Sequence, residues 1–223
     1  MTRCVVAVGV GSWYPRGVAR LGASLDSVGD SAARHFCTDG WPAGSPPHRD
    51  LPYGFKFFAM DEARRGGADS VLWLDSSCWA VRTLDRVWQR LEETGHLLVD
   101  CANWLGQWSS DGSLAALNRS RDESMTVPLV VGGMFGIRFS HPDGARFYDA
   151  VRALVTPAVL CGDWNNNAGQ CSADSRVRGH RHDQVALGHV ADRMKLPLLH
   201  QPDLFAYATP QPDARTVIVA QGM

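Results

Sequence analysis

The chain has 223 residues, 45% of them apolar, which is enough for a packed core and excludes a wholly disordered protein. A formal net charge of −1 excludes whole-molecule attraction to nucleic acid or an anionic membrane and leaves only local patches. Six cysteines stand singly, without a C-x-x-C pair or finger-like Cys/His spacing, which argues against both a disulfide framework and structural zinc.

Cys4 to Val10 is a short, β-branched apolar run entering a loop at Gly9-Val10-Gly11, and it predicts a buried strand. Val18, Leu21, Leu25 and Val28 fall on one face of a helix that Gly29 stops. A weaker strand is expected near Arg34 to Thr38, then a Pro- and Gly-crowded loop from Asp39 to Pro52. Tyr53 to Arg65 is compatible with a helix that Gly66-Gly67 ends, and Ser70 to Leu74 has the continuous apolarity of a fully buried strand. Leu84, Val87, Trp88 and Leu91 mark another amphipathic helix, which ends at Gly95 and leads to a short strand at Leu97 to Val99. This alternation predicts parallel crossovers and a doubly wound, nucleotide-binding half over about residues 1–100.

The second half, about residues 101–223, opens with a polar, Trp-containing segment from Asn103 to Thr126. A strand from Leu129 to Phe139 and a helix from Asp143 to Val155 follow, then a long polar loop from Asp163 to Gly179. A last helix runs from near Asp183 and stops before Pro197, and Thr216 to Ala220 reads as a final strand. No internal repeat or Gly/Ser linker divides the chain. The expectation is a single α/β domain over 1–223, an open mixed sheet flanked by helices. A short apolar start without a signal-peptide core, and no run of the roughly 20 apolar residues needed to cross a bilayer, predict a cytoplasmic protein without membrane insertion.

Chemistry is expected where the third strand ends. Asp75 and Ser77 lie two residues apart, on one face if the strand continues, in the crevice where open α/β sheets bind ligands. The densest polar cluster is Arg176 to Gln184, whose His180, Arg181, His182 and Asp183 suit metal ligation, proton transfer or phosphate binding. Asp183 equally suits the N-cap of the last helix. Gly132-Gly133 interrupts an apolar strand, as close approach of a ligand to backbone would require. The first-strand loop carries Gly9, Gly11, Trp13 and Tyr14 without forming a G-x-G-x-x-G fingerprint, and its rings suit either base stacking or packing. Trp104 and Trp108, set among amides, suit acceptor recognition.

In their order along the chain, the first-strand loop, the lysine-bearing helix with Lys56, the acidic strand end, the glycine strand and the late His/Asp/Gln segment resemble GT-A-type nucleotide-sugar-dependent glycosyltransferases. The likeness is to glycogenin-like and viral-type members, with the usual Asp-x-Asp reading Asp75-Ser76-Ser77. The resemblance implies transfer of a sugar, hexosyl in type, from a nucleoside diphosphate sugar such as a UDP-sugar to an acceptor hydroxyl on a glycan or protein. It implies donor contacts from Gly9, Gly11, Trp13, Tyr14, Lys56, Asp75, Ser77, Gly133 and Arg181. A divalent metal, Mn²⁺ or Mg²⁺, would be held by Asp75 with His180 or His182, compensating for Ser77, while Lys56 or Arg181 meets phosphate. Asp75 and Asp183 would be catalytic, Asp183 as general base or as the group orienting the donor sugar. One alternative acceptor is a hydroxymethylated DNA base, for which Arg176, Arg178 and Arg181 would meet phosphates. Other readings are a non-catalytic sugar-nucleotide-binding protein and, third, a nucleotidyltransferase.

Overall fold

The computed structural model describes residues 2–208 and 213–221, so the expected domain bounds of 1–223 reach outside the described residues at both ends and over 209–212. In chain order the elements are β1 (Arg3–Val8), α1 (Tyr14–Ser27), β2 (Ala33–Cys37), α2 (Phe55–Arg65), β3 (Ser70–Leu74), β4 (Cys78–Ala80) and α3 (Asp85–Thr94). There follow β5 (His96–Leu97), β6 (Asp100–Trp104), a 3₁₀ turn (Leu105–Trp108), α4 (Asp111–Ala116), α5 (Arg121–Ser124), β7 (Pro128–Val130) and β8 (Met134–Arg138). The last are α6 (Pro142–Ala153), α7 (Pro157–Leu160), α8 (Asp183–Arg193), β9 (Leu204–Tyr207) and β10 (Thr216–Ala220).

The central sheet has the order β2-β1-β3-β8-β5. β1 pairs in parallel with β2 and β3, whereas β8 runs antiparallel to β3 and β5 antiparallel to β8. Alternation along each strand explains the layering. Val5, Ala7, Leu72 and Leu74 face α1 and α3, which bring Val18, Leu21, Leu25, Val87, Trp88 and Leu91 to that side. Cys4, Val6, Val8, Val71 and Trp73 face the opposite layer, into which Phe57 and Met60 of α2, Phe147 and Val151 of α6 and Val185 and Leu187 of α8 project. A sheet covered on both faces by helices accounts for the unbroken apolar runs of β1 and β3.

Parallel crossovers hold for β1, β2 and β3 and stop there. The expected strand from Leu129 to Phe139 is two strands in different sheets. β7 pairs with β6, and the chain then turns through Val131-Gly132-Gly133 before β8 enters the central sheet. Backbone contacts fix the break: the Val131 amide donates to Val99 O at 2.8 Å, and Gly133 O accepts from the Asp75 amide at 2.9 Å. The segment from Asn103 to Thr126 is not irregular but holds the end of β6, the 3₁₀ turn, α4 and α5, the last two capped by Ser110 and Ser120. β4 and β9, absent from the sequence reading, flank β10 in a small second sheet. Among the described residues no helix is long and apolar enough to cross a membrane.

Candidate active site

A cleft of about 680 Å³ opens at the carboxyl ends of β1 and β3, within the size range of small-molecule sites. Asp75, Ser76 and Ser77 form its floor. Trp13, Tyr14, Trp41 and His48 line the cleft with them. The strand does not continue through Asp75 as expected. The Cys78 amide donates to Asp75 O at 2.8 Å and closes a tight turn, which Arg20 secures by donating to Ser77 O at 2.8 Å. Gly9 acts through space rather than through a ligand. A Cβ there would lie 2.6 Å from both Tyr14 O and Val18 Cγ2, so only glycine lets α1 start so close to β1. Gly11 has φ +111°, a conformation side chains rarely adopt, and turns the loop toward Tyr14.

Beneath the cleft lies a buried charge cluster. Lys56, on the first turn of α2 and 1% exposed, places Nζ 3.0 Å from Asp75 Oδ1 and 2.9 Å from Asp183 Oδ2, and donates to Gly132 O at 2.8 Å. The rings of Tyr53 and Trp73 cover the ammonium at 5.0 and 5.3 Å. Burial works against its charge, and the two carboxylates more than reverse that, holding Lys56 protonated above its ordinary range. Asp183 is 3% exposed. Burial pushes its carboxyl up to about 6, Lys56 pulls it down, and the charge of Asp75 raises it again. Gly132 is part of the same packing, since a Cβ there would sit 2.8 Å from Asp183 Oδ2.

This arrangement changes what the sequence implies for Lys56 and Asp183. Lys56 Nζ already meets three oxygens beneath two rings and does not line the cleft, so it is not turned toward a phosphate there. Asp183 is the first residue of α8 rather than its N-cap, which is His182, and it points to Lys56 without lining the cleft. Asp75 remains at the cleft and is partly exposed. Its Oδ1 accepts from Trp73 Nε1 at 2.8 Å and contacts Lys56, which leaves Oδ2 for a ligand.

The expected metal set of Asp75 with His180 or His182 is not assembled. His180 is fully buried, its Nδ1 accepts from the Ser110 amide at 3.2 Å, and burial lowers its pKa to about 4. His182 places Nδ1 2.8 Å from Leu160 O and stacks on Tyr53 at 5.2 Å, and burial holds it below its ordinary value as well. Its backbone, at φ 46° and ψ −112°, is strained for a non-glycine residue and is held by these contacts. Both histidines are therefore neutral supports of the turn into α8. A hard cation needs several oxygen ligands, while the cleft offers one free carboxylate oxygen and neutral hydroxyls, with Lys56 already between the two acids. The residues present do not fit a resident Mn²⁺ or Mg²⁺.

Arg181 is sandwiched between Trp108 and Trp164, at 3.7 and 4.4 Å from their rings, and donates to Trp164 O at 3.1 Å. Arg176 is paired with Asp122 and Asp174. Arg176 is thereby neutralised by acids, whereas Arg181 keeps its charge and its remaining donors between the two rings. Gly133 O is committed to the Asp75 turn, so Gly133 shapes the floor rather than meeting a donor. The sequence reading also missed Trp41, His48, Tyr53 and Phe55, which form one aromatic cluster. Trp41 lies 5.0 Å from Phe55 and His48 lies 4.9 Å from Tyr53. Burial, aided by the Lys56 charge, lowers the pKa of His48 and keeps its imidazole neutral at neutral pH. Three aromatic residues and a histidine within and just after a Pro-rich loop are the signal that was available.

The chain is an α/β domain with an open mixed sheet between helices and a cleft above its parallel strand ends. No protein-family model and no curated protein matches the sequence. Among solved structures the chain is similar to a glycosyltransferase involved in the glycosylation of the major capsid of PBCV-1. The TM-score is 0.57 at 12% identity, and the match covers 99% of this chain and 92% of that one. At such identity the likeness establishes a shared fold.

Proposed function

We propose that the chain is a glycosyltransferase that moves a sugar from a nucleoside diphosphate sugar, in the first instance a UDP-sugar, to an acceptor hydroxyl. The observation that carries this reading is the partly exposed Asp75 carboxylate at the foot of an aromatic-walled cleft above β1 and β3. Trp13, Tyr14 and Trp41 offer flat faces for a nucleobase. Arg16, whose guanidinium lies 5.3 Å from the ring of Trp13, and Arg20, which donates to Ser77 O, touch lining residues of the cleft and are the cations we assign to a diphosphate.

In the transfer the bond from the anomeric carbon to the diphosphate oxygen breaks, with its electron pair leaving on the diphosphate. A bond from the acceptor oxygen to that carbon forms, and the acceptor proton passes to a base. In this reading Asp75 Oδ2 orients the sugar or offsets positive charge at the anomeric carbon, and neutral His48 takes the proton. Lys56 and Asp183 are positioning residues that fix Asp75 from below. No step is assigned to a metal.

The test is release of nucleoside diphosphate from a panel of donor sugars with glycan and protein acceptors, alongside donor affinity. Asp75→Asn should retain donor binding within severalfold and lose turnover by about 10²–10³-fold. Binding without release by the unmodified chain would make it a sugar-nucleotide-binding protein, and no binding of any donor would remove the proposal.

A further inference from the structure

We propose that His35, Cys37 and Glu62 form a second site, distinct from the cleft, that binds a transition metal ion of the zinc class and braces the loop carrying Trp41 and His48. His35 and Cys37 are two residues apart on β2, the edge strand of the central sheet, so their side chains share a face. α2 packs over that face and lowers Glu62 onto them. The isolated sequence position of Cys37 gives no hint of this, because the third group comes from the next helix.

The geometry is convergent. His35 Nε2 lies 2.8 Å from Glu62 Oε2, Cys37 Sγ lies 3.6 Å from the same Nε2, and Sγ lies 4.0 Å from Oε2. In a proton relay the imidazole would use a different nitrogen for each partner. Here thiol and carboxylate approach one nitrogen, as three ligands of a common ion would. Zinc bonds of about 2.0–2.3 Å imply tetrahedral edges of about 3.3–3.7 Å, so the triangle needs adjustments of only about 0.5 Å to close on a metal. Among the described residues this is the place where three such ligand atoms lie within 4.8 Å of one another.

Ligand chemistry selects the ion. A thiolate and an imidazole favour zinc-class metals over Mg²⁺ or Ca²⁺, and three protein ligands leave a fourth position for water. The site is reachable, since the His35 and Glu62 side chains are 33% and 20% exposed. On binding, the Cys37 S–H bond breaks, the proton passes to solvent and a sulfur–metal bond forms. Glu62 Oε1 accepts from the Ala43 amide at 2.8 Å, so an ion fixing Oε2 also fixes the start of the loop that lines the cleft.

The experiment is titration of the full chain, first stripped by chelator, with Co²⁺ as a spectroscopic probe and Zn²⁺ as competitor. Expected are saturation at one equivalent, tetrahedral visible bands with a thiolate-to-cobalt charge-transfer band, and their displacement by Zn²⁺. Cys37→Ser should abolish the charge-transfer band, and Glu62→Gln should weaken binding at least tenfold, each variant first checked for native circular dichroism. Should Cys37→Ser not fold, loss of the bands in His35→Gln serves in its place. Absence of a one-equivalent complex, or a charge-transfer band that survives in Cys37→Ser or His35→Gln, would overturn the proposal.

Discussion

Two acids and one ammonium meet beneath the cleft, Lys56 and Asp183 buried and Asp75 partly exposed, and the balance among them should appear in stability before it appears in activity. Asp183 holds its proton to about pH 6 in the fold, against an ordinary value of 3.8. A folded-state pKa above the unfolded one means that the native state binds the proton more tightly. The associated stability is complete below the unfolded value and is lost as pH rises through about 6. Between pH 7 and pH 5 the unmodified chain should therefore gain about 1 kcal/mol relative to Asp183→Asn, measured as the difference in urea unfolding free energies. An equal response of both proteins would show that Asp183 does not titrate in that window. Lys56→Met leaves the acids facing each other without a cation and should cost about 3–5 kcal/mol at pH 7. The penalty should shrink at pH 5, where Asp183 takes up a proton, and a pH-independent loss would point to packing alone. At this scale the sequence is partly legible. That Asp75, Ser77, Trp13 and Tyr14 line the cleft is readable because strand-end geometry puts them there. The partnership of Lys56 with Asp183 is not, because it joins the starts of two helices through a glycine break.

Among the elements, the segment from Asp39 to Pro52 shows what composition reveals and what it withholds. Its prolines and glycines identify a loop, yet the side it folds toward depends on tertiary contacts, such as Glu62 with the Ala43 amide and Trp41 with Phe55 at 5.0 Å. That fold turns Trp41 and His48 into a wall of the cleft. A stacked base is worth about 1–3 kcal/mol, so Trp41→Ala should weaken nucleoside diphosphate binding by about tenfold or more, read by calorimetry. Unchanged affinity would move the base to the Trp13 side. The division of β7 from β8 was hidden for a related reason. An apolar run shows that a segment is buried but not which sheet it joins, and the turn at Gly132-Gly133 is fixed by carbonyl contacts to Lys56 and Asp75 made from outside the run. The late helix, in contrast, is readable at its start because its apolar spacing begins directly after Asp183.

For the whole molecule, sheet and helix alternation through β3 makes the α/β class legible, since parallel strands need crossover helices and show unbroken apolar runs. The antiparallel entry of β8 and β5 lies beyond such reasoning, because side-chain pattern does not encode strand direction. Charge distribution is the other whole-molecule property, and it bears on whether the acceptor is DNA. Sequence places Arg176, Arg178 and Arg181 in one short segment. In the fold Arg176 is neutralised by Asp122 and Asp174, and Arg181 is stacked between two tryptophans. With a net charge of −1 and Arg176 paired, that cluster leaves Arg178 and Arg181 to release counterions from a duplex. Gel-shift titration with duplex DNA at low and high salt should therefore give weak binding and a shallow salt slope. A steep slope, with affinity falling as salt rises and diminished by Arg178→Ala, would restore a DNA acceptor and require the arginine segment to rearrange on the duplex.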